Sequence, residues 1–282
     1  MIGVFDSGLG GLTVLRALSA RLPRHRFLYL ADHANAPYGD LPADRILTLA
    51  QDNLSRLFRA GCRLAIIGCN TVSAVALRPI QRDWLPRHWP GCNALGLIVP
   101  TIEAVTGVDW NDCAPPSDTP AGTVAIFATS RTVDSAVYPV EIAKRARALR
   151  VVEQPCPNLA AAIEDGAPED ALRHMVVRYV ADLYACTGGA DPDWVILGCT
   201  HYALVAYLFR EALAPGMPIV SQPQAVAQAL EGYLGRHPEF DAPLARGISG
   251  PRCRFLTTGE ARTVTPLARR FIEEDYVFEG TA

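Results

Sequence analysis

Twice in this chain an aliphatic run ends in Gly-Cys and passes at once into polar residues: LAIIGCNT at 64–71 and WVILGCTH at 194–201. A second pair of strand ends, FDSG at 5–8 and FATS at 127–130, precedes them in the same order. Two echoes in one order favour duplicated lobes over coincidence. Both runs are short and apolar throughout, as strands buried on both faces of a parallel sheet are. Around the first, Ile2–Phe5, Phe27–Ala31, Leu64–Gly68 and Ala94–Val99 read as strands. Between them, Leu12, Leu15, Leu18 and Leu22 make a helical stripe, and Gln51–Ala60 reads as a second helix. The Pro/Gly-rich stretch Gly107–Gly122 reads as an exposed loop or lobe boundary. The pattern then restarts, with strands at Val124–Ala128, Val151–Glu153 and Trp194–Gly198 and helices at Val133–Arg147 and Ala167–Tyr184. The expected fold is α/β, with two pseudo-symmetric lobes, each a mostly parallel sheet flanked by helices.

In open α/β sheets, ligands sit at the carboxyl ends of the strands. Two such lobes facing each other bring both Gly-Cys turns, and hence Cys69 and Cys199, to one cleft. A free thiol has a pKa of about 8.5, near enough to neutrality to serve as base or as acid after tuning. Thiols on opposite sides of one carbon suit a reaction that removes a proton from one face and returns one to the other. Each needs a partner for proton handling. His201 stands two residues after Cys199, and Asp6 ends the first strand of the other lobe.

Composition narrows the partners. The chain has 282 residues, half of them hydrophobic, and a formal charge of −3, which gives no attraction to nucleic acid or to an anionic membrane. No apolar run approaches the roughly 20 residues of a membrane helix. Met1 leads directly into IGVF without a basic leader, so a cytoplasmic protein is expected. The eight cysteines (62, 69, 92, 113, 156, 186, 199 and 253) contain no CxxC pair, which leaves a zinc ribbon or thioredoxin motif without support. Most cysteines are by default small buried hydrophobes, and the six that do not follow a strand-end glycine read as structural. Lys144 is the single lysine and lies in a stretch of helical character, so a Schiff base with pyridoxal phosphate has only that candidate, which reads as solvated.

IGVFDSGLGGLTVLR at 2–16, APYGD at 36–40, GCNTVSA at 68–74 and GCTHYAL at 198–204 closely resemble, in the same order, the motifs of glutamate racemases of the aspartate/glutamate racemase superfamily. The resemblance implies Cys69 and Cys199 as the catalytic pair, acting on an amino acid with neither cofactor nor metal. It implies substrate contacts from Asp6, Ser7, Tyr38, Gly39, Asn70, Thr71, Thr200 and His201. Thr129 and Thr132 in ATSRT match a Thr-x-x-Thr that helps to bind the carboxylate, and Glu164 in CPNLAAAIEDG matches an auxiliary glutamate near the histidine. It also implies a discontinuous first lobe, residues 1–100 with 217–282, around a second lobe at 101–216. The oligomeric state, monomer or homodimer, stays open. Backbone N–H groups and Asn, Ser and Thr side chains at helix starts agree with this, since they make neutral donor nests for carboxylates.

The sequence departs from the family at Ala203, where proline is usual, at Ala31-Asp32-His33 ahead of the PYG turn, and in GLIVPTIEA at 96–104. Other readings are weaker. Gly8, Gly10 and Thr13 break the dinucleotide fingerprint at its third glycine, although Asp32 stands near the place of a ribose-binding acid. Cys69, Cys199 and His201 could serve as zinc ligands. Aspartate racemases more often carry Glu at the position of His201, and a non-catalytic relative would not need both thiols.

Overall fold

The protein is described here by a computed structural model covering residues 1–109, 121–244, 252–271 and 276–281. The core of the expected loop at 107–122, with Cys113, lies outside the described residues. In chain order the described strands are β1 (Ile2–Asp6), β2 (Phe27–Ala31), β3 (Leu64–Ile67), β4 (Asn93–Leu95), β5 (Gly122–Ala128), β6 (Leu149–Pro155), β7 (Trp194–Gly198), β8 (Ile219–Val220), β9 (Cys253–Thr257) and β10 (Phe278–Gly280). They form a six-stranded sheet of order β10-β9-β2-β1-β3-β4 and a four-stranded sheet of order β6-β5-β7-β8. Every pairing is parallel. The inner order β2-β1-β3-β4 repeats as β6-β5-β7-β8, so the echo in sequence is a duplication of topology.

Parallel strands need helical crossovers, and these cover both faces of each sheet. On one face of the first sheet, helices Leu12–Arg21 and Gln222–Arg236 interlock Leu15, Leu18 and Leu22 with Val226, Leu230 and Leu234. Helix Ala43–Arg59 covers the other face with Ile46, Leu49, Leu54 and Leu57. It starts earlier than the Gln51–Ala60 read from apolar spacing, directly after Pro42. Helices Glu169–Thr187 and Ala206–Ala212 cover one face of the second sheet, and Ile98–Thr106 and Val137–Ala143 the other. Among the described residues no helix is long and apolar enough to cross a membrane.

Two expectations need correction. The apolar run Ala94–Val99 is strand only at its start, because Gly96 packs so closely on Leu77 and Ser73 that a Cβ would meet them at 2.7 and 2.9 Å, and a helix begins at Ile98. Val133–Arg147 is not one helix. Ala136, at φ 50°, separates Ser130–Asp134 from Val137–Ala143, and by Leu149 the chain is already in β6.

Ile98, Ile102 and Val105 pack with Val124 and Ile126 of the second lobe, whereas Leu97 belongs to the first core. β8 pairs with β7. We therefore propose lobe borders just after Leu97 and Val220 rather than after residues 100 and 216. The C-terminal segment returns as β9 and β10 to the outer side of β2.

Leu18 is fully buried where the returning helix docks. Leu18→Ala is expected to lower unfolding free energy by about 2–5 kcal/mol, measured by denaturant titration, without altering substrate KM.

Candidate active site

In each sheet the chain winds outward to one side of a central strand and then restarts on the other. The crevices between β1 and β3 and between β5 and β7 are thus topological switch points, where open α/β sheets bind ligands. Asp6 ends β1, and Cys69 lies just beyond β3 as N-cap of helix Asn70–Val75. Thr129 lies just beyond β5, and Cys199 just beyond β7, leading into a 3₁₀ turn at Thr200–Val205. The two thiols occupy equivalent places and open into one cavity of about 120 Å³.

Of the residues expected in the site, Ser7, Tyr38, Gly39, Cys69, Asn70, Thr71, Thr129, Glu164, Cys199, Thr200 and His201 line this cavity. Asp6 and Thr132 stand behind it. Thr132 is fully buried, with its hydroxyl 3.0 Å from that of Thr129, which lies 3.1 Å from the Thr71 hydroxyl across the lobes. Gly8, His33, Ala36, Pro37, Ala160, Ala161 and Asp165 complete the wall. His33 was visible only as a departure from the family pattern.

The surroundings of the thiols are electrostatically opposite. Ser7 donates a hydrogen bond to Cys69 Sγ at 3.3 Å. Burial and the nearby charge of Asp6 push the Cys69 thiol up to about 12, outweighing help from Ser7 and from the start of the helix. Asp6 is not in hydrogen-bond contact with Cys69. Its Oδ2 accepts from Gly11 N at 2.8 Å and from the Tyr29 hydroxyl at 3.3 Å, whereas its buried Oδ1 has no partner. Burial raises Asp6 to about 6, against the charge of His201 and the Gly11 N–H.

On the other side, His201 Nδ1 lies 3.7 Å from Cys199 Sγ, and its Nε2 is in a short hydrogen bond to Glu164 Oε2. Glu164 Oε1 accepts from Leu9 N at 3.1 Å and lies 3.5 Å from His33 Nε2. Burial acts to lower His201, but its bonds to Cys199 and Glu164 carry it well above the ordinary histidine range. Burial acts to raise Glu164, and the hydrogen bond and charge of His201 hold it below the usual carboxylate range. The pair is therefore ionic at neutral pH, and Cys199 faces a cation while Cys69 faces an anion.

Two other features of the sequence are explained here. Asp32 does not hold a ribose; it accepts from Tyr38 in a short hydrogen bond and from Asn35 at 3.0 Å, fixing the PYG turn. The glycine-rich turn serves the approach of the lobes. A Cβ on Gly10 would lie 2.5 Å from Thr200 Oγ1 and 2.7 Å from His201 Nδ1, and one on Gly11 would lie 2.7 Å from Asp6 Cβ. Lys144 lies away from the cavity, half-exposed and 2.7 Å from Glu141. Among the described residues no group of His, Cys, Asp or Glu is arranged to hold a metal ion.

This fold and site define a two-lobed α/β racemase. No family model matches the chain. It is 49% identical over 277 residues to the glutamate racemase of Phenylobacterium zucineum (strain HLK1), covering 96% of each protein. In structure it is similar to a glutamate racemase isoform of Bacillus anthracis, with a TM-score of 0.84 at 24% identity over 100% of this chain and 97% of that one. It is also similar to the Thermus thermophilus glutamate racemase solved with β-chloro-D-alanine, at TM-score 0.77 and 28% identity over 100% and 96%. The chain belongs to the glutamate racemase family and is an isomerase.

Gly10→Ala is expected to displace Thr200 and His201 and to lower kcat/KM by about 10²-fold, the scale of an ångström-sized misplacement. Gly235→Ala, on a helix with nothing within 4 Å of the added Cβ, is the control. It should leave activity unchanged and raise stability by about 0.5–1 kcal/mol. Equal activity in the two variants would refute the role given to Gly10.

Proposed function

We propose that the chain interconverts L- and D-glutamate without a cofactor, with one thiol acting on each face of Cα, and that it supplies D-glutamate for peptidoglycan synthesis in the cytoplasm. The observation that carries this reading is the pair of thiols at equivalent turns of two like-ordered sheets, opening into one cavity.

The Cα proton of an amino acid is only weakly acidic, so charge developing toward the carboxylate must be met by fixed donors. Asn70, Thr71, Thr129 and Thr200, with the N–H groups of the turn after each cysteine, offer neutral donors and leave the charge balance of the thiols undisturbed. With L-glutamate, the Cys199 thiolate beside the His201 cation takes the proton from Cα. The Cys69 thiol, held protonated by burial and by Asp6, delivers its own proton to the opposite face. The products of that step are a Cys199 thiol, a Cys69 thiolate and D-glutamate. The reverse reaction starts from the opposite protonation of the pair, with Cys69 as base. Glu164 keeps His201 charged and its ring fixed. Asp6, while ionised, holds Cys69 protonated, and by taking up that proton it frees Cys69 to act as the base.

The decisive experiment separates the two faces. Serine keeps the shape of cysteine and removes the base, so Cys69→Ser and Cys199→Ser should each abolish racemisation. Loss of HCl from a β-chloro amino acid needs only one base at Cα. Cys69→Ser should retain elimination only from the L-like enantiomer, and Cys199→Ser only from the D-like one. Racemisation at near wild-type rate by either variant would refute the two-thiol reading. Running aspartate beside glutamate fixes substrate preference.

The pH dependence follows from Asp6. Its carboxyl is raised to about 6 by burial, so the carboxylate is present above that value and is lost as the pH falls through it. If Asp6 supports Cys69 as base, kcat/KM for D-glutamate falls on the acid side with a midpoint near 6. This parameter reports the free enzyme. His201, raised well above its ordinary value, stays charged across that window and adds no limb there. Asp6→Asn should lower the D-glutamate rate by about 10²–10⁴-fold and remove the limb; an acid limb unchanged in that variant would assign it to another group.

A further inference from the structure

Gln222 is the first residue of the helix that carries the chain back from the second lobe to the first, and it is 4% exposed. Its side chain meets three others that are still more deeply buried. Asn70 Nδ2 donates to Gln222 Oε1 at 2.7 Å, and Gln222 Nε2 donates to Asn70 Oδ1 at 3.0 Å, a reciprocal amide pair. The same Nε2 donates to Thr101 Oγ1 at 3.0 Å and lies 3.3 Å from the Tyr138 hydroxyl, which itself donates to Asn70 Oδ1 at 3.0 Å. Thr101 sits on the helix that makes the first crossing between lobes, and Tyr138 on a helix of the second lobe.

We infer that Gln222 is a positioning residue for the reaction, acting through Asn70: it locks the Asn70 amide as a donor toward the cavity and ties that amide to both crossings between the lobes. The locking follows from counting donors and acceptors. Both lone pairs of Asn70 Oδ1 are filled, by Gln222 and Tyr138, and one of the two Nδ2 hydrogens is used. Turning the amide over would set oxygen against oxygen and would leave the Tyr138 hydroxyl facing a donor. The Asn70 side chain can therefore present only its remaining N–H to the cavity it lines, the polarity a substrate carboxylate requires. A rotation of one lobe on the other moves Thr101 and Tyr138 relative to Asn70 and Gln222, so the placement of the lobes is read at the residue next to Cys69. This inference rests on Asn70 being a carboxylate donor.

The test is a double-mutant cycle on glutamate racemisation in both directions. Gln222→Met keeps length and removes the amide. It is expected to raise KM about tenfold, equivalent to about 1.4 kcal/mol, with kcat changed by less than about threefold, the pattern of lost ground-state binding. Asn70→Ala should raise KM at least as much, and adding Gln222→Met to it should do nothing further. Gln222→Glu keeps the acceptor for Asn70 Nδ2 but sets an oxygen against Asn70 Oδ1, so it should do no better than Gln222→Met. A purely structural Gln222 would lower the yield of folded enzyme and leave KM alone, and that result overturns the inference. Independent, additive effects in the double variant overturn it too. Wild-type KM in Asn70→Ala overturns the reading of Asn70 as well. Should Gln222→Met not fold, Tyr138→Phe removes one hydroxyl of the knot. Its KM should rise about threefold alone and not at all beside Asn70→Ala; an unchanged KM, or the same rise in both backgrounds, overturns the inference.

Discussion

Glu164 reaches out of the second lobe and takes the backbone N–H of Leu9 in the first at 3.1 Å, while its other oxygen holds His201. The contact with Leu9 requires the glycine turn after β1 to come within touching distance of the opposite lobe. Gly8 and Gly10 allow it, since a Cβ at Gly8 would sit 2.7 Å from Glu164 Oε1. One carboxylate thus closes the cleft and charges the histidine beside Cys199. A buried ion pair of this kind is an uncertain source of net stability, because desolvation opposes the attraction. Its value here is in orientation: with Nε2 of His201 committed to Glu164, only Nδ1 is left to face the thiol.

The two halves of the site share a backbone plan and differ in charge. Strand order, switch point and Gly-Cys turn repeat. Yet one cysteine lies beside a histidine–glutamate pair, and the other lies beside a serine hydroxyl with a buried aspartate behind it. The difference follows from the reaction. Two identical thiols would both be acids or both be bases at a given pH, whereas proton transfer across a carbon needs one of each. The duplicated fold provides the mirror-like placement, and the residues that follow each turn break the symmetry.

The fold was legible because buried parallel strands leave an uninterrupted apolar signature and because the Gly-Cys echo marks equivalent strand ends. The thiols were legible for the same reason. Glu164 and the Thr129–Thr132 pair came only through family resemblance, since nothing local in IEDG or ATSRT announces a partner in another segment. The wrong strand at 94–99 shows the limit of periodicity: a short apolar run reads alike as buried strand or as the start of a buried helix. His33, Tyr138 and Gln222 escaped for a deeper reason. Each is an ordinary polar or aromatic residue within its own segment, and its role exists only where helices far apart in sequence meet.

The insertion of the second lobe within the first has a consequence for synthesis. The four strands of the smaller sheet are made in one uninterrupted stretch and can pair as soon as they leave the ribosome. The larger sheet cannot be finished then. β2 keeps a bare edge until β9, which is made after the second lobe and carries β10 on its other side, arrives to cover it. Unpaired edges invite pairing with other chains, and contacts distant in sequence form slowly. While the second lobe is complete and the first still waits for β9 and β10, chaperone binding and self-association can compete with folding.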